Sequence, residues 1–219
     1  MSKEIYLPFK DNLESQSSRG RGCSFSSDGI YLAVISFSTP SLVVYRRDGD
    51  NFTKLTPGPS LTYNSYNCSF SPNGEYLAAA HTNSPYVSIF KRDQDTFARL
   101  VNPPILPGST ALGCSFSPDG NYLAVAHSSY PYVTLYLRKN DDFLKVDTPP
   151  GLTGSGRGCA FSANSESLVV AIEITPYMAV YNKQAVFSKR NDISPLRFVA
   201  VALETGDAEE IIEANQIIV

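Results

Sequence analysis

The sequence predicts an all-β protein that is built from four copies of one four-stranded unit. Its 219 residues include 13 tyrosines and 12 phenylalanines, many of them among β-branched residues, and this composition favours strands over helices. Four segments of the sequence also align with one another. They begin at Cys23, Cys68, Cys114 and Cys159, which are 45, 46 and 45 residues apart. Self-similarity at a fixed period is the signature of a repeat architecture.

The alignment extends across the whole unit. Nine residues after each cysteine comes a leucine, and these are Leu32, Leu77, Leu123 and Leu168. Seventeen residues after it comes a proline, namely Pro40, Pro85, Pro131 and Pro176. Twenty-two residues after it comes an aromatic residue, namely Tyr45, Phe90, Tyr136 and Tyr181. A phenylalanine follows 29 residues after the cysteine in three copies, and in the fourth Phe187 stands one residue early.

Each copy is predicted to form four short strands, A to D. In the second copy, strand A is the Cys-Ser-Phe-Ser alternation, strand B runs from about Tyr76 to His81, strand C is Tyr86–Lys91, and strand D surrounds Phe97. A Pro-Asn-Gly or Pro-Asp-Gly turn separates strands A and B in the middle copies, because proline presets φ and glycine accepts a positive φ. Four antiparallel strands in about 45 residues is the size of a propeller blade. The expected fold is a β-propeller-like array of four blades, followed by a C-terminal β-hairpin.

These motifs resemble a known family. The phrase FSPDG-x-YLAVA, followed by the strand YVTLY, is similar to WD-repeat and lactonase-like β-propellers over roughly Gly22–Asp192. The Trp-Asp pair of true WD repeats is absent, and the chain has no tryptophan. The resemblance therefore implies the architecture rather than a WD-specific hydrogen-bond network. Four blades are few for this family, which leaves three arrangements open: a closed four-bladed ring, an arc completed by a second copy, or an arc capped by another protein.

The repeat occupies residues 22–192, with an N-terminal segment at 1–21 and a tail at 193–219. Ile5–Leu13 could add an outer strand, since Phe9-Lys10 echoes strand D of the first copy. The tail is predicted to form a hairpin from Leu196–Glu204 and Glu210–Val219. It resembles the closing hairpin of bacteriophage virion proteins, and any β domain could also close with such a hairpin. The residues expected to form an assembly segment are Leu196, Phe198, Ile217 and Val219.

The sequence offers little for catalysis or metal binding. The four cysteines share one repeat position, where neighbouring copies lie too far apart for a disulfide, so they are predicted to be small buried residues of strand A. His81 and His127 also share a position, and each is expected to hydrogen-bond the B–C turn. Gly20-Arg21-Gly22 and Gly156-Arg157-Gly158 precede strand A, but no helix follows to make a phosphate site. We therefore predict that the protein is not an enzyme and has no catalytic residue, cofactor or metal. A lactonase-like enzyme is the weaker alternative.

The loops sort into two faces. The C–D loops are rich in charges of both signs, which predicts a solvated face. The opposite face is rich in Ser, Thr, Pro and Tyr, the composition of adaptable binding surfaces. The candidate partner-binding residues on that face are Tyr63, Tyr66, Tyr130 and Tyr132.

Composition limits the partners. The net charge of −3 gives no general attraction to nucleic acid. The sequence contains no run of 18 apolar residues, so membrane insertion is not expected. The N-terminus lacks the pattern of a signal peptide. The expected role is a structural or interaction protein, either a bacteriophage virion component (tail, neck or capsid decoration) or a cytoplasmic WD-repeat-like scaffold. Its expected partners are other virion or scaffold proteins in an oligomeric assembly, with a host surface receptor or glycan as a further candidate.

Overall fold

A computed structural model describes residues 19–148, 150–184 and 197–201 of the chain. Within these residues every regular element is a strand, and the strands form four antiparallel sheets of four. No helix in this part of the chain is long and apolar enough to cross a membrane. The all-β, four-bladed fold predicted from the repeat is therefore confirmed.

Each sheet follows the chain from its inner strand A to its outer strand D. The first sheet contains β1 (Gly20–Phe25), β2 (Tyr31–Ser36), β3 (Leu42–Asp48) and β4 (Asn51–Lys54). The second contains β5 (Ser65–Phe70), β6 (Tyr76–His81), β7 (Val87–Asp93) and β8 (Thr96–Arg99). The third contains β9 (Ala111–Phe116), β10 (Tyr122–His127), β11 (Val133–Lys139) and β12 (Asp142–Lys145). The fourth contains β13 (Gly156–Phe161), β14 (Ser167–Ile172), β15 (Met178–Gln184) and β16 (Arg197–Val201).

The A–B turn explains why strands A and B pair in each repeat. Gly74 has a φ of 67° and Gly120 a φ of 71°, as a turn that needs a positive φ requires. A serine hydroxyl before the turn accepts a hydrogen bond from the first amide of strand B. The Tyr76 amide donates to Ser71 Oγ at 2.9 Å in the second copy, and the Ser167 amide donates to Ser162 Oγ at 2.8 Å in the divergent fourth copy.

The core lies between the sheets rather than within one of them. Separate clusters of buried side chains fill the gaps between sheets one and two, two and three, and three and four. Alternate residues of strand B point to opposite neighbours, so β6 and β10 are buried on both sides. Tyr76, Ala78 and Ala80 of β6 pack toward the third sheet, whereas Leu77 and Ala79 pack toward the first.

The described residues form an open arc. The inner strands touch in the order β1, β5, β9 and β13, and no comparable contact joins β13 to β1 in the described part of the chain. The outward sides of the end sheets are consequently more exposed than their equivalents inside the arc. Phe25 of β1 is 50% exposed and Met178 of β15 is 52% exposed.

The fourth sheet corrects the expected boundary of the tail. Arg197–Val201, predicted to begin a separate assembly hairpin, pairs antiparallel with β15 as the outer strand of the fourth blade. In that register Phe198 stands opposite Lys183, just as Phe97 stands opposite Arg92 and Phe143 opposite Arg138. Phe198 thus takes the strand D position that the sequence had suggested for Phe187.

Several expectations fall outside the described residues. These are the outer strand proposed for Ile5–Leu13, the position of Phe187, the second strand of the predicted hairpin, and the assembly residues Leu196, Ile217 and Val219.

Candidate functional site

The loops divide between two opposite faces, as the sequence predicted. We call the face formed by the B–C and D–A loops the tyrosine face, and the face formed by the A–B and C–D loops the charged face. Backbone hydrogen bonds fix the tyrosine face. The Thr82 amide donates to the Asn64 carbonyl at 3.0 Å, and the Glu173 amide donates to the Ser155 carbonyl at 3.0 Å. In each of these blades the B–C loop is therefore tied to the end of the D–A loop that leads into strand A of the same blade.

A β-bulge at the start of each inner strand places one side chain at the tyrosine face. In β1, Gly20 pairs with Ser36 and Gly22 pairs with Ile35, which leaves Arg21 as the extra residue. Bulges of this kind redirect a side chain. The same irregularity recurs in the other three inner strands, and the four bulged residues are Arg21, Tyr66, Leu112 and Arg157.

Arg21 lies against two aromatic rings. Its guanidinium carbon is 5.0 Å from the centre of the Phe37 ring and 5.5 Å from that of Tyr66. The two rings meet edge-on at 6.0 Å. Cation–π contacts of this kind hold a guanidinium in place while its N–H groups stay available. Among the described residues, no carboxylate pairs with Arg21.

The matching arginine of the fourth blade is neutralised. Arg157 forms an ion pair with Glu173. Glu173 lies 14 residues after Cys159, and Phe37 lies 14 residues after Cys23. The first blade therefore carries an aromatic ring where the fourth carries the neutralising acid, and no acid among the described residues compensates the charge of Arg21.

The four predicted tyrosines lie in three separate places. Tyr66 belongs to the Arg21 cluster, whereas Tyr63 stacks on His81 with ring centres 4.9 Å apart. Tyr130 and Tyr132 meet edge-on at 6.1 Å in the third blade. Tyr130 is the most exposed of the four, at 78%. The structure thus places all four on the tyrosine face but does not gather them into one pocket.

A shallow pocket lies beside Tyr63. Its volume is about 510 Å³, and its lining includes Pro85, Arg99, Asn102 and Leu106. Arg99 and Asn102 add a charge and an amide to a face that the sequence had indicated to be rich in Ser, Thr, Pro and Tyr. The tyrosine face therefore combines aromatic rings with several arginines, two residue types that are enriched at the energetic centres of interfaces.

Sequence reasoning singled out Tyr132 but missed its equivalents in two other blades, Tyr86 and Tyr177. Tyr86, Tyr132 and Tyr177 have φ values of 67°, 69° and 66°, which a bulky non-glycine residue rarely adopts. Each directly follows the repeat proline, so a Pro-Tyr pair in three copies was the available signal. Tyr177 is 64% exposed. Such backbone conformations cost free energy and persist where the surroundings fix them, which is a feature of functional sites.

The charged face holds the blades together and is not simply solvated. The Tyr76 hydroxyl of the second blade donates to Asp141 of the third at 2.6 Å, and Lys91 pairs with the same carboxylate at 2.9 Å. Asp95 repeats this arrangement one blade earlier, with the Tyr31 hydroxyl at 2.5 Å and Arg46 at 2.9 Å. The hydrogen bond from Tyr76, together with Lys91, lowers the pKa of Asp141.

The two histidines are buried structural residues. Nε2 of His81 lies 2.9 Å from the Ser88 hydroxyl, and Nε2 of His127 lies 2.9 Å from the Thr134 hydroxyl. These partners belong to strand C, whereas the sequence had predicted the B–C turn. The backbone of that turn also acts on each ring, since, against the larger effect of burial, Asn83 raises the pKa of His81 and Ser129 raises that of His127. Burial lowers the pKa of each histidine to about 4, so both are neutral at pH 7.

All four cysteines are free. Burial raises the pKa of Cys68 and Cys114, and it raises that of Cys159 to about 12. The thiols of Cys68, Cys114 and Cys159 each point to a backbone carbonyl of the preceding blade, at 3.5 to 3.8 Å. Cys23 is exposed, contrary to prediction, because no described blade precedes β1. Within the described residues, no three metal-binding side chains lie together.

The fold is shared with several solved structures. The β-propeller domain of Cps50 (Swd1) from Myceliophteria thermophila matches with a TM-score of 0.60 at 12% identity, over 86% of this chain and 58% of that one. A Bacteroides fragilis protein provisionally assigned as a 6-phosphogluconolactonase matches with a TM-score of 0.61 at 18% identity, over 90% of this chain and 59% of that one. Kuenenia stuttgartiensis hydrazine synthase matches with a TM-score of 0.60 at 16% identity, over 80% of this chain and 49% of that one.

These similarities establish a β-propeller-like fold, related in shape to both WD-repeat and lactonase-like proteins. At such low identity they carry no activity over to this chain. The chain spans about half to three-fifths of the length of these three structures. No protein-family model matches the sequence, and no curated protein matches it.

Proposed function

We propose that this protein is a non-catalytic interaction protein that binds an acidic segment of a partner protein on its tyrosine face. Arg21 carries the proposal. Its guanidinium is oriented by Phe37 and Tyr66 and has no carboxylate partner among the described residues. A carboxylate of the partner would supply the charge that Glu173 supplies to Arg157. Arginine–carboxylate pairs are stronger than neutral hydrogen bonds and can be bidentate.

The surroundings of Arg21 suit a protein partner. Tyr130 and Tyr177 are widely exposed on the same face, and tyrosine offers a large contact area with little loss of conformational freedom. The backbone hydrogen bonds between the loops reduce the cost of ordering this face on binding.

The two histidines and the three buried cysteines support a role without catalysis. General acid–base chemistry at neutral pH needs a group whose pKa lies near 7, whereas both histidines are buried with a pKa of about 4. A nucleophilic cysteine needs a lowered pKa, whereas burial raises the pKa of Cys68, Cys114 and Cys159.

The proposal is tested by selecting peptides from a random displayed library against the immobilised protein. Selected binders should be enriched in Asp and Glu, and Arg21→Gln should weaken them about 10-fold or more, as expected for the loss of one charged anchor. Phe37→Glu should weaken them equally, because it neutralises Arg21 from within the chain. Arg157→Gln is the matched control, since that guanidinium already has an acid partner, and Asp93→Asn controls for the charged face.

Two results would contradict this function. One is a set of binders without acidic residues. The other is a set of binders that tolerate Arg21→Gln but are lost on Asp93→Asn, which would assign binding to the charged face.

Membership of a bacteriophage virion stays a prediction from the tail sequence, with a cytoplasmic scaffold as the alternative. No comparison supports the phage link, and β16, which begins the tail, belongs to the fourth blade. The deletion that tests assembly must therefore begin at residue 202, since removing residues 196–219 would remove β16 as well. The virion proposal requires two results. A chain that lacks residues 202–219 must fold but no longer form higher-order assemblies, and the full chain must be detected in purified particles.

A further inference from the structure

We propose that the outward side of the first sheet docks a further blade of this repeat type, one that presents a tyrosine. We call this side the acceptor face, and it consists of Cys23, Phe25, Leu32, Val34 and Phe52. In the second and third sheets the equivalent residues pack against the preceding sheet. The inference does not depend on the partner proposed for the tyrosine face.

The second sheet shows how such a face is filled. The rings of Phe70 and Phe97 lie 6.1 Å apart. The ring of Tyr31, which comes from the preceding blade, meets Phe97 edge-on at 5.8 Å. The guanidinium of Arg92 covers the Tyr31 ring at 4.6 Å. Two phenylalanines and one arginine thus surround a tyrosine supplied by the preceding blade.

The third sheet repeats this arrangement. Phe116 and Phe143 lie 6.1 Å apart, and Tyr76 of the second blade meets Phe143 at 5.9 Å. Arg138 covers the Tyr76 ring at 5.1 Å. The two independent copies show that the tyrosine is a regular part of the contact between blades.

The first sheet has the same residues without the tyrosine. Phe25 and Phe52 already pair at 6.1 Å, and Arg47 occupies the position of Arg92 and Arg138. Yet Phe25 is 50% exposed, against 7% for Phe70 and 6% for Phe116. Among the described residues, no tyrosine enters this pair. The site is built in the same way as the filled ones, and its occupant is missing from the described chain.

The filled interfaces also define what the occupant must carry. The amide of Phe70 donates to the Ser24 hydroxyl of the preceding blade at 3.1 Å, and the amide of Phe116 donates to Ser69 at 3.2 Å. Arg92 also pairs with Asp28, in the A–B turn of the preceding blade, at 3.3 Å. The occupant should therefore present a strand A serine and a tyrosine at the start of strand B. An acid in its A–B turn would add an ion pair with Arg47 but is not required, because Asn73 stands at that position in the second blade, which fills the third sheet.

A second copy of this chain does not meet these requirements. Its free side is that of the fourth sheet, where Ala160 replaces the serine and Ser167 replaces the tyrosine. Blade 3 has Ser115 and Tyr122 at these positions. The occupant is therefore a different blade, and the fourth blade of this chain can be converted into one by two substitutions.

The test uses two forms of the full chain. The donor form carries Ala160→Ser and Ser167→Tyr, which restore the residues of blade 3, and Phe25→Ala, which removes its own acceptor face. The wild-type chain can accept a blade but cannot donate one. Mixed together, the two should form a one-to-one complex by sedimentation velocity, and the complex should protect the Cys23 thiol of the wild-type chain from a thiol reagent. Phe25→Ala alone, mixed with the wild-type chain, is the matched control and should form no complex.

Three results would overturn the proposal. The folded donor could fail to bind, it could bind equally well to a chain that carries Phe25→Ala, or the wild-type chain alone could associate with Cys23 protected. A donor that does not fold is replaced by one with Ser167→Phe, which keeps the ring and lacks the hydroxyl. This donor should bind more weakly than the tyrosine form, and Phe25→Ala in the acceptor should abolish the binding. That result supports the proposal, and a folded donor of this form that does not bind refutes it.

Discussion

Replacing the same phenylalanine at two repeat positions should have very different effects on stability, because only one of the two lies inside the arc. Phe70 is 7% exposed in the core between the first and second sheets, and Phe25 is 50% exposed on the outward side of the first. Phe70→Ala leaves a closed cavity, and truncations of this kind cost about 3–5 kcal/mol in a protein core. Phe25→Ala loses about half of the transfer free energy of one side chain and leaves no closed cavity, so its cost should be about 1 kcal/mol.

The measurement is urea unfolding followed by circular dichroism for the wild-type chain and both variants. With a denaturant slope of about 1–3 kcal/mol/M, Phe70→Ala should lower the midpoint by at least about 1 M. Phe25→Ala should lower it by less than half as much. Phe116→Ala, 6% exposed in the next core, should behave like Phe70→Ala. Because repeat arrays can depart from two-state unfolding, midpoints are compared before free energies. Equal effects of Phe25→Ala and Phe70→Ala would show that the first sheet is covered, and the open arc would be wrong.

Further predictions concern pH, thiols and the charged face. The pKa of His81 and His127 is about 4 in the folded protein against about 6.5 unfolded, so stability should fall between pH 6.5 and 4 by roughly 2–4 kcal/mol per histidine. Urea unfolding midpoints measured at several pH values would show this loss of stability. Replacing both His81 and His127 by serine should make the midpoint less dependent on pH. In the native protein a thiol reagent should modify Cys23 first, and all four thiols should react after denaturation; fewer would indicate a disulfide. Asp141→Asn should cost about 1 kcal/mol by weakening its contacts with the second blade, whereas Asp93→Asn, measured alongside it by thermal unfolding, should change little.

The repeat made most of the fold predictable. The turn glycines, the alternation in strand B and the aligned leucines together predicted four strands per copy, and the structure has them with the expected neighbours. The fourth copy was harder because its strand D does not follow at the usual distance. Backbone pairing places Phe198 opposite Lys183, and Arg-Phe-Val-Ala-Val resembles Asp-Phe-Leu-Lys-Val of the third copy, so the signal was present but displaced along the chain.

The candidate site was only partly predictable. Composition indicated which face is rich in tyrosine, because strand order alone decides which loops share a face. It could not show that Tyr63 stacks on His81 or that Phe37 lies beside Arg21, since these contacts join different loops. The charged loops were misjudged for the same reason, because the partners of Asp95 and Asp141 come from the preceding blade.

The sequence by itself determined the strands, the turns and the order of the blades, because these depend on residues close together in one repeat. Tertiary structure alone decided which copies of a repeated residue are buried and which arginine is neutralised. Cys23 and Cys68 occupy one repeat position, yet only Cys68 is buried. Arg21 and Arg157 also share a position, yet within the described part of the chain only Arg157 of the two meets an acid. Burial depends on what lies across the gap between two sheets, and charge pairing depends on which loop side chain reaches the start of strand A, so equivalent repeat residues differ in ways that the repeat alone does not show.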